Sequence, residues 1–259
     1  MRVGLLFPGS MGAPVGAAVR GEVVWASDGR SEATAKRASE AGLVDVGSVE
    51  ELVNSSEIVL SICPPAIAED VAAHAARLGF DGLYVDANAI SPERMQRVAD
   101  LLPNVVDGSI LGRDGNLYLS GEPEEVARVA ALFDGSEVRA IALDAGIGAA
   151  SALKMAYGGW NKIGVALAAQ AHAIARAYGV SDALEHEGLA GDRVEQLAPR
   201  AWRWGPEMEE VADTAAALGL PDGMGRGAAE LYARWSGNRD TEVPLERLLE
   251  ELASRRHPS

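Results

Sequence analysis

The sequence predicts an α/β fold in two parts: a doubly wound, Rossmann-type sheet over residues 1–145, then an all-helical domain over residues 146–259. Three observations predict it. Short apolar runs alternate with helical patterns through the first half. Strand signals stop near Gly146. A long Ala-rich helical stretch opens the second half, with its small residues recurring at the 3.6 period.

In chain order, residues 3–7 read as a buried strand and residues 13–19 as the helix after it. Residues 23–26 and 58–62 are further strands, and a helix over 31–41 lies between them. Pro64 and Pro65 stop the third strand and pre-set the first turn of a helix running to Leu78. Residues 83–86 form a fourth strand. Ser91, Pro92 and Glu93 then supply an N-cap, a first-turn proline and an early acid for a helix to Leu101. Residues 105–106, 117–119 and 138–143 are strands, with a helix over 123–133 between the last two. The second half reads as helices over 149–178, 192–197, 206–218, 227–235 and 245–254, the first and third ended by Gly179 and Gly219.

Composition bounds the function. The chain has 259 residues, 48% apolar and 24% charged, which suits an ordinary globular protein with a sizeable core. A formal net charge of -15 argues against a nucleic-acid partner, since a phosphate backbone demands a basic face. Cys63 is the single cysteine, so there is no intrachain disulfide and no multi-thiolate zinc site. The opening apolar run is too short for a signal sequence, and no stretch is long enough for a membrane span, so a cytoplasmic location is expected.

The first strand ends in Phe7-Pro8-Gly9-Ser10-Met11-Gly12 and leads directly into a helix. Such a turn aims backbone N–H groups and the helix dipole at a pyrophosphate, with glycines where a Cβ would collide. Phe7 stands where the G-x-G-x-x-G fingerprint has its first glycine. About twenty residues on, where ribose preference is set, lies Ser27-Asp28-Gly29-Arg30-Ser31. Asp28 suits the 2′-hydroxyl of NAD, or simply caps the next helix; Arg30 with Ser27 and Ser31 suits the 2′-phosphate of NADP. NADP is favoured, because a charged loop carboxylate usually points to solvent.

The chain has only three lysines, Lys36, Lys154 and Lys162. Lys154, Tyr157, Gly158 and Asn161 fall on one face of the long helix. An ammonium in partly apolar surroundings loses hydration and can exchange a proton with a substrate hydroxyl. The alternative is a lysine that snorkels to solvent beside an apolar stem. His74, His172, His186 and His257 show no metal-ligand spacing, and His172 reads as a packed or interface residue. Glu185-His186-Glu187 reads as a solvated turn, and Glu207, Glu209 and Glu210 as an exposed helix face. Trp202 and Trp204 read as anchors of the second domain, and Arg226 as a weak candidate for a substrate anion.

Residues 3–12 and Gly148-Ala149-Ala150-Ser151-Ala152-Leu153-Lys154-Met155 together resemble the opening and the catalytic helix of the β-hydroxyacid and 6-phosphogluconate dehydrogenase superfamily. Val85-Asp86-Ala87-Asn88-Ala89-Ile90-Ser91-Pro92, residues 150–157 and Arg203-Trp204-Gly205-Pro206-Glu207-Met208-Glu209-Glu210 are similar to its DUF1932-type branch. The resemblance implies an NAD(P)-binding domain over 1–145 and a substrate and dimerisation domain over 146–259. It implies hydride transfer between a nicotinamide cofactor and a small β-hydroxyacid-like substrate, with Lys154 as general acid/base. Gly9, Ser10, Met11 and Gly12 then hold the pyrophosphate, Arg30 and Ser31 the adenosine end. Cys63, Pro64, Pro65 and Asn88 lie near the nicotinamide ribose. A substrate-carboxylate loop falls on residues 107–112, contributing Ser109, Ile110, Leu111 and Gly112, and a homodimer packs through the long helix.

Two departures stand out. The wider family has serine where Leu111 stands, so carboxylate binding there falls to backbone N–H groups or Ser109. The family's asparagine is Gly158 here, and Asn161, one turn on, is the candidate replacement, with Tyr157 filling space beside it. Imine reduction, in which another residue generally replaces the lysine, and a non-catalytic NADP-binding sensor are the alternatives.

Overall fold

A computed structural model describes residues 1–112 and 115–254; His257 lies outside the described residues. The chain divides into two compact units, Met1–Lys154 and Met155–Ser259.

The first unit is built on an eight-stranded sheet. Its strands are β1 (Arg2–Leu6), β2 (Glu22–Trp25), β3 (Val44–Asp45), β4 (Ile58–Ser61), β5 (Leu83–Asp86), β6 (Asn104–Leu111), β7 (Asn116–Gly121) and β8 (Ala140–Ala142). They lie in the order β3-β2-β1-β4-β5-β6-β7-β8. The first six are parallel; β7 runs antiparallel to β6, and β8 is parallel to β7. The strand order reverses between β1 and β4, which opens a crevice at their carboxyl ends.

The helices that return the chain are α1 (Gly12–Ala17), α2 (Glu32–Glu40), α3 (Val49–Ser55), α4 (Ala68–Arg77), α5 (Pro92–Ala99) and α6 (Pro123–Ala131). Parallel strands need crossovers of this kind, and the helices cover both faces of the sheet. One face buries Val3, Leu5, Ile58, Leu83, Val106 and Leu119 with Val15, Val129 and Phe133. The other buries Leu6, Val24, Val59 and Tyr84 with Leu52, Ala72 and Met95. Side chains alternate across each strand, so every central strand contributes to both cores. Ser31, Ser48 and Ser91 cap α2, α3 and α5 by accepting from the N–H three residues on.

The structure departs from the sequence reading in three places within this unit. β3 and α3 were not predicted. The expected strand at 105–106 extends to Leu111, so most of the supposed carboxylate loop is strand and only Gly112, at φ 76, turns away. Asp28 does not cap α2, because Ser31 does.

Helix α7 (Ala149–Ala177) contributes its first six residues to the first unit and the rest to the second. The second unit continues with α8 (Ser181–His186), α9 (Asp192–Leu197), α10 (Trp204–Ala217), α11 (Gly223–Arg234) and α12 (Leu245–Ala253), with no strand among its described residues. Its core joins Val165 and Ala169 of α7 to Val194, Met208, Tyr232, Trp235 and Leu248. Trp204 meets Tyr232 edge-on, with ring centroids 5.3 Å apart. Residues 185–187, expected as a turn, instead close α8. No helix among the described residues is long and apolar enough to cross a membrane.

Candidate active site

The turn after β1 begins at Phe7, which takes a left-handed backbone conformation, φ 66, that L-residues rarely adopt. The fingerprint's first glycine is therefore absent as a residue but present as a backbone conformation. The N–H of Gly9 donates back to the Phe7 carbonyl at 2.7 Å, and that of Ala13 to the Gly9 carbonyl at 3.0 Å. A Cβ on Gly12 would fall 2.5 Å from the Phe7 carbonyl oxygen, so only glycine lets α1 start this close to the strand. Ser10 and Met11 sit exposed on the turn, and the Met11 side chain caps nothing.

At the end of β2 the Ser27 N–H donates to Asp45 Oδ1 at 3.2 Å, and Asp28 is exposed. The Arg30 guanidinium lies 3.7 Å from the centroid of the Phe7 ring. Partial burial lowers the Arg30 pKa from its ordinary value, opposed by Cys63 and Asp28. The Ser31 hydroxyl accepts from the Thr34 N–H as the α2 cap.

At the ends of β4 and β5 the Cys63 N–H donates to Asn88 Oδ1 at 2.6 Å. The Asn88 amide donates in turn to Asp86 Oδ2 at 2.9 Å and to Ser61 Oγ at 3.2 Å. The backbone N–H of Asn88 reaches Asp86 Oδ1 at 3.0 Å. This chain of bonds fixes the Cys63-Pro64-Pro65 turn against β5. Burial, and next the Asp86 carboxylate, push the Cys63 thiol up to about 12, so it is no nucleophile. Burial also lifts Asp86 to about 7, against the hydrogen bonds from Asn88.

On β6, Ser109, Ile110 and Leu111 are buried, and the Ser109 hydroxyl is sealed with no hydrogen-bond partner. The Lys154 ammonium donates to the Ile110 carbonyl at 2.8 Å. An ammonium, a left-handed glycine-rich turn and a rigid proline turn thus belong to one unit, the last two at carboxyl ends of neighbouring parallel strands. Among the described residues no cluster of three or more His, Cys, Asp or Glu is placed to hold a metal ion.

Residues 175–235 match the domain of unknown function DUF1932. An uncharacterized 28.5 kDa protein in the 7S RNA 5′ region of Methanothermus fervidus is 30% identical over 168 residues, 63% of this chain. The match spans 65% of that protein's length. Among solved structures, the conserved protein MTH1747, described as structurally similar to 3-hydroxyacid dehydrogenases, is 27% identical with a TM-score of 0.68, over 92% of this chain and 98% of that one. The 3-hydroxyisobutyrate dehydrogenase of Mycobacterium tuberculosis, solved with L-serine, gives a TM-score of 0.70 at 17% identity, over 98% and 99% of the two chains. This is the 3-hydroxyacid dehydrogenase-like fold. Psf3, a protein solved with NADP+, shares it at a TM-score of 0.66 and 15% identity, over 96% of this chain and 99% of that one.

Two of the substrate residues expected from the sequence, Tyr157 and Asn161, lie in the second unit. Tyr157 is exposed, and the Asn161 amide donates to the Tyr157 carbonyl at 2.9 Å, so its donor is engaged inside its own helix. Beside Gly158 stands an ion pair that sequence reasoning missed: Lys162 Nζ to Glu207 Oε1, 2.6 Å. Glu207 and Glu210 are buried, correcting their reading as an exposed face; Glu209 is exposed and pairs with Arg226. Arg226 also pairs with Asp213 and Asp222, so three carboxylates already engage its guanidinium and it is no free anion receptor. The signal for a buried Glu207 was available, since it sits on the α10 face that also carries Met208 and Val211 toward the core.

Proposed function

We propose that this chain is an NAD(P)-dependent oxidoreductase that moves hydride between a nicotinamide cofactor and a small β-hydroxyacid-like substrate, NADP being favoured. The observation that carries it is the Lys154 ammonium held at 2.8 Å by the Ile110 carbonyl on β6. That strand adjoins β5, whose end carries Asn88.

The residues fit a dinucleotide. Gly12 leaves a cradle that a Cβ would fill, and the backbone N–H groups at Ser10 and Met11 lie on the exposed turn. Arg30 has no ion pair among the described residues, which leaves it able to pair with a 2′-phosphate; Ser27 and Ser31 flank it. Gly9, Ser10, Met11 and Gly12 hold the pyrophosphate, and Cys63, Pro64, Pro65 and Asn88 wall the nicotinamide ribose. The bound cofactor supplies hydride chemistry. Lys154 takes the proton from a substrate hydroxyl in oxidation and returns one to the developing alkoxide in reduction. Ile110 O orients the ammonium, and backbone N–H groups around Gly112 meet a substrate carboxylate; Tyr157 and Asn161 continue the Lys154 face of the helix.

A cytoplasmic homodimer through α7 goes with this reading. Trp160, Leu167 and Ile174 recur at seven-residue spacing on one face of α7 and are all exposed, as is Tyr178. Leu167, Ile174 and Tyr178 border a groove of about 590 Å3 that Met224 and Leu231 also line.

The test is calorimetric titration with NADPH and NADH, followed by turnover on panels of 3-hydroxy acids, their carbonyl counterparts and cyclic imines. Lys154→Ala is expected to lower hydroxyacid turnover by about 10²–10⁴-fold with NADPH affinity within twofold. Binding without turnover on any panel supports the sensor instead. Imine turnover indifferent to Lys154→Ala supports an imine reductase.

A further inference from the structure

A row of buried polar side chains crosses four adjacent strands, β4 to β7. Ser61 of β4 is in register with Asp86 of β5, Asp86 with Asp107 of β6, and Asp107 with Ser120 of β7. All four are essentially inaccessible to solvent. Two carboxylates inside a sheet are costly unless each is well supplied with donors.

Asp107 is supplied by α7. Its Oδ2 accepts from the N–H of Gly148 and of Ser151, both at 3.0 Å, and from Ser120 Oγ at 3.2 Å. Its Oδ1 accepts from Ser151 Oγ at 2.8 Å. The Ser120 hydroxyl accepts the N–H of Ala150 at 3.0 Å. Three N–H groups at the start of a 29-residue helix, which have no partner within a helix, are therefore met by side chains of β6 and β7. A carboxylate is also the charge that the amino end of a helix favours. Lys154 follows Ser151 by three residues, and its ammonium bonds Ile110, three residues after Asp107 on the same strand. The helix is tied to β6 at two points, and the second is the lysine itself.

We propose that Asp107 is the positioning residue for Lys154. It locks the first turn of α7 onto β6, and the ammonium one turn later is thereby held in place. This rests on the reading of Lys154 as the acid/base, and a misplacement of about 1 Å at such a group lowers turnover on the order of 10²-fold. Asparagine keeps the shape of Asp107 but replaces one acceptor oxygen with a donor that faces the N–H and hydroxyl groups now bound there.

Three lysines make the test direct. Reductive 13C-dimethylation of the whole chain gives three side-chain signals, assigned with Lys36→Arg, Lys154→Arg and Lys162→Arg, and each is titrated. In Asp107→Asn the Lys154 signal is expected to move toward the position of exposed Lys36, while Lys162 stays and NADPH affinity holds within twofold. A folded Asp107→Asn whose Lys154 signal does not move overturns the proposal. Should Asp107→Asn fail to fold, Ser151→Ala removes only the 2.8 Å hydroxyl bond. It is expected to shift the Lys154 signal in the same direction by less, and no shift there overturns the proposal equally. Failure of the acid/base reading is seen separately, as retained turnover in Lys154→Ala.

Discussion

Arg30 and Phe7 are stacked, the guanidinium carbon lying 3.7 Å from the ring centroid. The pairing explains how a phenylalanine occupies a glycine position. The left-handed backbone at Phe7 is strained by about 1–2 kcal/mol in an L-residue, and a cation–π contact of about 1 kcal/mol offsets part of it. The same stacking holds Arg30 beside the turn that follows β1. Arg30→Ala is expected to weaken NADPH binding by tenfold or more and NADH binding by less than threefold, read by titration of intrinsic fluorescence. Equal loss for the two cofactors would mean that Arg30 supports the turn without reading the 2′-phosphate. NADH binding tighter than NADPH in the native chain would shift the assignment to Asp28 and the ribose hydroxyls.

Much of the first unit was legible because its signals are local. β1, β2, β4 and β5 are apolar runs between turn residues, and Ser31 and Ser91 announce their helices. Ser48 and Glu51 spell an equally plain capping pattern for α3, which went unread because the helix is only seven residues long. β6 was cut short because Asp107, Gly108 and Ser109 look like a loop. Nothing along the chain says that Asp107 is matched by donors from residues 120, 148 and 151. That match exists only across strands and is invisible to periodicity. Gly158 shows the same limit, since the missing asparagine was legible but the Lys162–Glu207 pair beside it was not.

Glycine to alanine inside a helix normally stabilises by up to about 1 kcal/mol. Gly158 and Gly164 of α7 are expected to respond with opposite signs. A Cβ at Gly158 would fall 2.8 Å from Glu207 Oε1, whereas at Gly164 it meets open space. Glu207 cannot swing aside freely, because Lys162 holds it and both side chains are largely buried. Gly164→Ala should therefore raise the denaturation midpoint, and Gly158→Ala should lower it by about 1–2 kcal/mol of stability. The larger side chain of Gly158→Asn should be worse still. If both alanine variants stabilise alike, the Lys162–Glu207 pair is mobile and does not explain the glycine.

Cys63 lies on the proline turn after β4, yet it should behave as an inert thiol. Burial raises it to about 12, so the thiolate that reacts with disulfide reagents is scarce at pH 8. Native protein is expected to react with an aromatic disulfide at under about 1% of the rate seen after denaturation. Rapid native labelling would show that the turn opens to solvent and that the Asn88 bond to the Cys63 N–H does not hold it shut.

Asp86 gives the fold a pH dependence whose sign can be worked out. Its carboxyl is raised from 3.8 to about 7, first by burial and further by Asp107 nearby, with Asn88 opposing. The native state therefore holds the proton more tightly than the unfolded chain does. The contribution from this proton is complete below about pH 4, declines as pH rises toward 7, and is gone above it. Each unit of displacement corresponds to about 1.4 kcal/mol, so the decline is a few kcal/mol at most. Asp86→Asn removes the titrating group while keeping one oxygen for the Asn88 N–H. The native-minus-variant difference in urea midpoint should fall between pH 5 and pH 8. A difference that is flat across that range would mean that Asp86 is ionised throughout, and that the donors of Asn88 outweigh its burial.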